Sequence, residues 1–405
     1  MKFVFFPLSQ VLAHVSRSYE VARVLRDRGH DVVFAAENTT HHRSRMDIVA
    51  KAAFNTVPVR EPNFSYLWER MTTAGFRGTV GAVCSPAKWM PVGEIMESQV
   101  EVIKAERPDA VAGFATMSMS NAAYIAGVPA VNVYNAYYID GILSRRMWRF
   151  YWDAYDAVFL AAKRRGVYAK HGKPAIRAVD LFLSVPLLSP DLPGMYETSG
   201  VLRNARMTGP ILFDYPAPAP DWFSELDDGT KNVYLTMGST GVLDVVLRAA
   251  LDSLAKLPYR FIVTTGGQVD RGALGDLPTN FRMTDFAPGA EILKRCSALV
   301  FHGGNGSMYQ ALQHGVPMLA VPTHNEQRIN ARIAAGHGFC RILELRDAVN
   351  GMLAGAVREI VESESCRSSA QRMAGLVRAS DGANTAADII ENTAREGRPP
   401  GAASN

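Results

Sequence analysis

The chain has 405 residues, too many for one ordinary hydrophobic core and suited to two domains of about 200 residues each. Hydrophobic residues make up 48% and charged residues 20%, a balance that excludes a disordered chain, and a formal net charge of +4 excludes a dedicated nucleic-acid surface. Cys84, Cys296, Cys340 and Cys366 follow no CxxC or metal spacing and read as reduced thiols of a cytoplasmic protein.

Residues 1–7 form an apolar run too short for a signal peptide, followed at once by a charged amphipathic segment. The run reads as a buried strand over 3–8, leading to a helix over 15–28 whose apolar face is Val15, Tyr19, Ala22 and Leu25. Gly29 ends that helix, and residues 31–36 form the next strand, so the chain opens as a βαβ unit with a parallel sheet. Residues 41–90 read as irregular. The rhythm returns with a strand over 109–114, a helix over 118–126 and a strand over 128–134. Arg145, Arg146, Trp148, Arg149 and Trp152 invite a membrane-surface reading, but Met147, Phe150, Tyr151, Ala154 and Val158 share one helical face. An ordinary packed helix lining a cleft is the preferred reading. No apolar run approaches the roughly 20 residues of a bilayer span, so no integral membrane segment is expected.

Pro210, Pro216, Pro218 and Pro220 make 210–220 a stiff connector, with one domain over 1–209 and a second over 221–385. In the second, strands are predicted over 231–238, 260–265, 281–286, 298–301 and 317–321. Helices are predicted over 242–256, 290–296, 307–314 and 327–336. This alternation specifies a second doubly wound α/β domain, whose ligands bind at the C-terminal ends of the strands. Residues 357–396 read as helical with a break near Gly382. Residues 386–405 are assigned to a C-terminal helix and frayed tail.

The strongest chemical signal is His302-Gly303-Gly304-Asn305-Gly306-Ser307, where a buried strand runs through glycines into a helix. Glycines allow close backbone approach to an anion, and the N–H groups of a helix start point at it. Ser307 serves there either as N-cap or as a phosphate donor. The spacing satisfies neither GxGxxG nor Walker A.

From His302 to Ala331, with Gly315-Val316-Pro317 and Glu326-Gln327, this region resembles the donor-binding signature of the UDP-glycosyltransferase superfamily, closest in style to its bacterial antibiotic glycosyltransferases. The likeness extends to Ala13-His14-Val15, Arg28-Gly29-His30, Gly127-Val128-Pro129, Gly209-Pro210 and Tyr234 to Thr240, but leaves about 40–105 and 135–205 unmatched. The resemblance implies a GT-B fold of two Rossmann-like α/β domains facing a cleft, and inverting transfer from a UDP- or dTDP-sugar to a small-molecule acceptor. It implies that His302 and Ser307, helped by the backbone of Gly304, Asn305 and Gly306, hold the diphosphate, with Ser239 and Thr240 lying over it. Phe286 would stack on the base, Ala287 would offer its backbone, and Glu326 and Gln327 would hold the sugar. His14 would be the general base, a task that an imidazole suits at neutral pH.

Three departures stand out. Phe114 occupies the position of the aspartate that orients the histidine, so His14 works alone, another group orients it, or the acceptor needs little base catalysis. Gln310 replaces the glutamate that commonly holds the ribose, and Gly289 replaces a glutamine that contacts it, leaving UDP and dTDP both open. No Asp-x-Asp triplet is present, so metal-independent chemistry without a cofactor is expected. A non-catalytic nucleotide-sugar-binding homologue and a sugar-nucleotide epimerase are the alternative functions, and a homodimer is left open.

Overall fold

The computed structural model describes residues 1–405 except 38–45, 64–65, 67–79, 82, 138, 140–149, 151–152, 197–204, 239–241, 268, 270–273 and 402–405. Two compact units emerge, Met1–Ile211 together with Asp381–Asn405, and Leu212–Ser380. The expected connector is thus divided: Pro210 and Ile211 go with the first unit, and 212–220 with the second. The C-terminal helix and frayed tail expected over 386–405 go with the first unit, to which the chain returns at Asp381.

The first unit carries a seven-stranded parallel sheet in the order β3-β2-β1-β4-β5-β6-β7. Its strands are β1 (Lys2–Pro7), β2 (Asp31–Ala36), β3 (Asn55–Pro58), β4 (Ala110–Phe114), β5 (Ala130–Val133), β6 (Leu187–Ser189) and β7 (Ala205–Met207). Side chains alternate between two covered faces, as a buried parallel sheet requires. Phe3, Phe5, Phe34 and Phe114 pack on one side, and Val4, Phe6, Val33 and Met96 on the other. Helix Gly382–Glu396 closes the first of these cores with Ala386, Ala387 and Ile390. Its polar edge is tied by Arg28, which donates to Asp388 at 2.7 Å and Asn384 at 2.7 Å, and by His30 Nε2 at 3.1 Å from Glu391.

Six parallel strands make up the sheet of the second unit, in the order β10-β9-β8-β11-β12-β13. They are β8 (Asn232–Thr236), β9 (Arg260–Thr264), β10 (Phe281–Thr284), β11 (Cys296–Phe301), β12 (Met318–Ala320) and β13 (Cys340–Ile342). Numbered within the unit this is 3-2-1-4-5-6, the doubly wound Rossmann order. In both sheets the order reverses between the first and fourth strands, and ligands are expected in the crevice opened there. The loop after β1 and the loop after β11 lie at these switch points.

Several elements differ from their expected bounds. The first helix is Leu12–Asp27, starting three residues early, so His14 sits in its first turn and not in a loop. The stretch read as irregular, 41–90, contains a short helix, Asp47–Lys51, and strand β3 of the sheet, and a long helix, Val92–Glu106, follows it. Of the face expected to pack, Phe150 and Val158 are 68% and 72% exposed, while residues 145–149 and 151–152 of that segment lie outside the described residues.

Candidate functional site

In the second unit, β11 ends at Phe301 and helix Asn305–Gln313 begins after three intervening residues, with Gly304 as its N-cap. No side chain caps this start. The first intrahelical bond is Met308 N to Gly304 O at 3.1 Å, so the N–H groups of Asn305, Gly306 and Ser307 have no acceptor within the helix. Ser307 is therefore the third residue of the helix and not its cap, which removes one of its two expected roles.

The glycines exist because of what surrounds them. The His302 ring is wedged between Gly238 and Gly304: a Cβ on Gly238 would sit 2.7 Å from the ring, and one on Gly304 would overlap Nε2. Gly303, at φ 90°, packs on the start of the next helix, where a Cβ would lie 2.7 Å from the Gln327 carbonyl oxygen. Asn330 of that helix donates to the Gly303 carbonyl at 3.3 Å. Burial lowers the pKa of His302 to about 4, the neighbouring His324 adds to the shift, and the Thr236 backbone opposes it. The imidazole is thus neutral at pH 7 and acts as a hydrogen-bonding group, becoming easier to protonate when an anion arrives.

Helix Asn325–Gly336 presents Glu326 and Gln327 in its first turn. Gln327 is 4% exposed, and its Oε1 accepts from Thr323 N at 2.9 Å and Thr323 Oγ1 at 2.8 Å. Its oxygen therefore holds the helix start, and the amide N–H₂ is the group's remaining donor. Glu326 is half-buried.

At the other end of the site, Phe286 follows β10 and is 42% exposed, with Ala287 buried behind it. One face of Phe286 is covered by Tyr215, whose ring stacks at 5.0 Å and 23°. Gln310 donates its amide to the Phe213 carbonyl. That bond explains the amide, because a carboxylate would face a carbonyl oxygen there. Asp214 accepts from Ala290 N at 3.3 Å, and burial raises its pKa. Sequence reasoning missed Phe213, Asp214, Tyr215 and His324. The first three sit in a proline-rich tract that reads as mere connector, and only the fold brings them to Phe286 and Gln310. Ser239 and Thr240 lie outside the described residues.

In the first unit, His14 sits at the switch point of its own sheet. Burial, with Arg17 adding its positive charge, lowers its pKa to about 3. Arg17 donates to Asn135 Oδ1 at 2.6 Å. Phe114 closes β4 as a buried ring 5.3 Å from Phe5. Among the described residues, no carboxylate hydrogen-bonds the His14 ring.

The family described as erythromycin biosynthesis protein CIII-like, C-terminal domain, matches residues 248–391. Over 98% of its length the chain superposes on the glycosyltransferase VinC in complex with DTDP, covering all of that chain at a TM-score of 0.77 and 21% identity. The chain has the GT-B fold. Among curated relatives, a PGL/p-HBAD biosynthesis glycosyltransferase of Mycobacterium tuberculosis is 29% identical over 184 residues, 45% of this chain and 42% of the relative. The 4'-demethylrebeccamycin synthase of Lentzea aerocolonigenes is 30% identical over 248 residues, 58% of this chain and 54% of the relative. The chain thus spans about half the length of the curated relatives it matches. These likenesses agree with the resemblance to antibiotic-type glycosyltransferases read from the residues.

Proposed function

We propose that the chain is an inverting glycosyltransferase that moves a sugar from a UDP- or dTDP-sugar to a small-molecule acceptor of the natural-product kind. The observation that carries this reading is the His302–Ser307 loop. It offers the N–H groups of Gly306 and Ser307 without an intrahelical acceptor and a neutral imidazole held between two glycines, at the switch point of a Rossmann-type sheet. A departing diphosphate is a dianion or more, and preorganised N–H donors stabilise it without a metal. The free face of Phe286 takes the base, Gln310 and Ala287 border the nucleoside, and Glu326 with the Gln327 amide holds the sugar. Ser239 and Thr240 complete the phosphate side. His14, deprotonated throughout the neutral range, takes the acceptor proton. Its low pKa makes it a weak base, so donor positioning supplies more of the acceleration than proton transfer does. Four unpaired thiols suit a reducing compartment, the cytoplasm.

Titration calorimetry with UDP and dTDP tests the donor site. His302→Ala should weaken nucleotide binding about tenfold or more, given the usual worth of a hydrogen bond to a charged group; an unchanged Kd would contradict the diphosphate role. For catalysis, dTDP-glucose and UDP-glucose are offered in EDTA with phenolic, amine and carboxylic acid acceptors, beginning with 4-methylumbelliferone. Glycoside formation supports the assignment, whereas an epimerised donor or donor binding without turnover points to the other two functions. His14→Ala should lower turnover by roughly 10²-fold or more while nucleotide affinity stays put.

A further inference from the structure

Beyond the reaction itself, the first unit holds a buried carboxylate for which the chemistry above has no use. Glu61 follows β3 and is 8% exposed. Its Oε2 accepts from Ser9 N at 2.8 Å and from Ser9 Oγ at 2.9 Å, and its Oε1 accepts from Glu37 N at 3.0 Å. Ser9 is wholly buried, and beside it Gln10 Nε2 donates to the Pro62 carbonyl at 2.8 Å. Residues 61–62 therefore grip the turn after β1 at two points and the end of β2 at a third.

That turn is where the His14 helix begins. Leu8 N donates to the Phe114 carbonyl at 3.3 Å, Val11 N to the Leu8 carbonyl at 3.1 Å, and His14 N to the Val11 carbonyl at 3.0 Å. The helix has Val11 at its N-cap and no side-chain cap, so its own sequence does little to fix where it starts. We propose that Glu61 is a positioning residue for His14: its carboxylate fixes the Ser9–Val11 turn and thereby sets the helix start that carries the imidazole. This proposal rests on His14 being the base. It answers the departure at Phe114, because the constraint usually applied to the ring is applied here to the backbone beneath it.

The chemistry of the grip favours this over simple packing. A carboxylate has only acceptors, and three donors converge on this one. Burying it is costly: burial raises its pKa to about 7, the Glu37 charge adds to the shift, and the Ser9 and Glu37 donors only partly offset it. Arg60, its neighbour along the chain, is paired with Glu94. A group that served packing alone would be better as an amide or an apolar side chain.

Hydrogen exchange and kinetics on the full chain test this together. In Glu61→Gln, amide exchange at Ser9, Val11 and His14 should speed up by roughly tenfold, the worth of one lost charge-assisted hydrogen bond. With the acceptor turned over above and dTDP-glucose as donor, kcat should fall by roughly 10- to 100-fold with the dTDP Kd unchanged. The acid limb of kcat near pH 7 should vanish in this variant and persist in Glu61→Asp. If Glu61→Gln does not fold, Ser9→Ala, which removes only the hydroxyl bond, should show faster exchange and lower kcat at smaller size, with the acid limb kept. Unchanged exchange overturns the grip. Faster exchange with unchanged kcat overturns the positioning role. Exchange reads the turn without reference to proton transfer, so a His14→Ala variant that keeps its activity overturns the base assignment separately.

Discussion

Three titratable groups with strongly shifted pKa values bear on how this protein responds to pH, and they do not pull the same way. His302 and His14 have folded pKa values of about 4 and about 3, below the ordinary 6.5 of an unfolded histidine. As pH falls below 6.5 the unfolded chain takes up protons first, so the stability contributed by each buried neutral imidazole is complete above 6.5 and lost toward pH 4. For His302 the limit is roughly 3 kcal/mol. Glu61 has the opposite sign, since its folded pKa of about 7 exceeds the unfolded 4.5: it stabilises as pH falls from 7 to 4.5. The second unit lacks Glu61 but holds Asp214, raised by burial, and His314 and His324, both lowered by burial, so the part due to His302 is read there as a difference between variant and parent. There the loss of unfolding free energy between pH 7.5 and pH 5 should flatten in His302→Asn. Denaturant unfolding at both pH values measures this, and equal slopes in variant and parent would sink the assignment.

At the scale of elements, the donor loop was legible while the place where its helix begins was not. Serine is a preferred N-cap, so the residues point to a helix starting at Ser307. The helix starts instead at Asn305, because the backbone at 304 must pass beside the His302 ring and only a glycine fits. That is a tertiary contact, invisible to local propensity. The short strands β6 and β7 were missed because three residues show no readable period. Helix Val92–Glu106, by contrast, has its period plainly written in Val92, Ile95, Met96, Val100 and Ile103. Gly382 illustrates a second close approach: a Cβ there would meet the carbonyl oxygens of Gly209 and Pro210, where the last helix crosses the end of the first unit's chain. Gly382→Ala should therefore destabilise the protein by about 1–3 kcal/mol although alanine is the better helix former. A stabilised variant in thermal unfolding would show that the contact is relieved cheaply.

For the whole molecule, the return of the chain to its first unit matters most. Ala386, Ala387 and Ile390 complete the core around Phe3, Phe5 and Phe34, and Arg28 and His30 anchor the helix through Glu391. A chain ending at Ser380 should keep the second unit and lose stability in the first, by several kcal/mol for the uncovered apolar surface. Scanning calorimetry with and without dTDP separates the two. The transition that shifts with dTDP should persist, and the other should fall in temperature or disappear. A truncated chain with both transitions in place would mean that the helix only decorates the core.

The residues alone determined the α/β class, the repeat of the doubly wound pattern on both sides of a proline-rich tract, and the anion-binding loop. These are written in local periodicity and in glycines whose backbone role is the same wherever they occur. Only the tertiary structure decided which residues share a site. Phe213, Asp214 and Tyr215 join Phe286, Ala290 and Gln310, Glu61 reaches Ser9, and the last helix crosses back to Arg28. Each of these pairings is long-range. A side chain's polarity announces that it needs a partner, but the register of two parallel sheets chooses which one it meets.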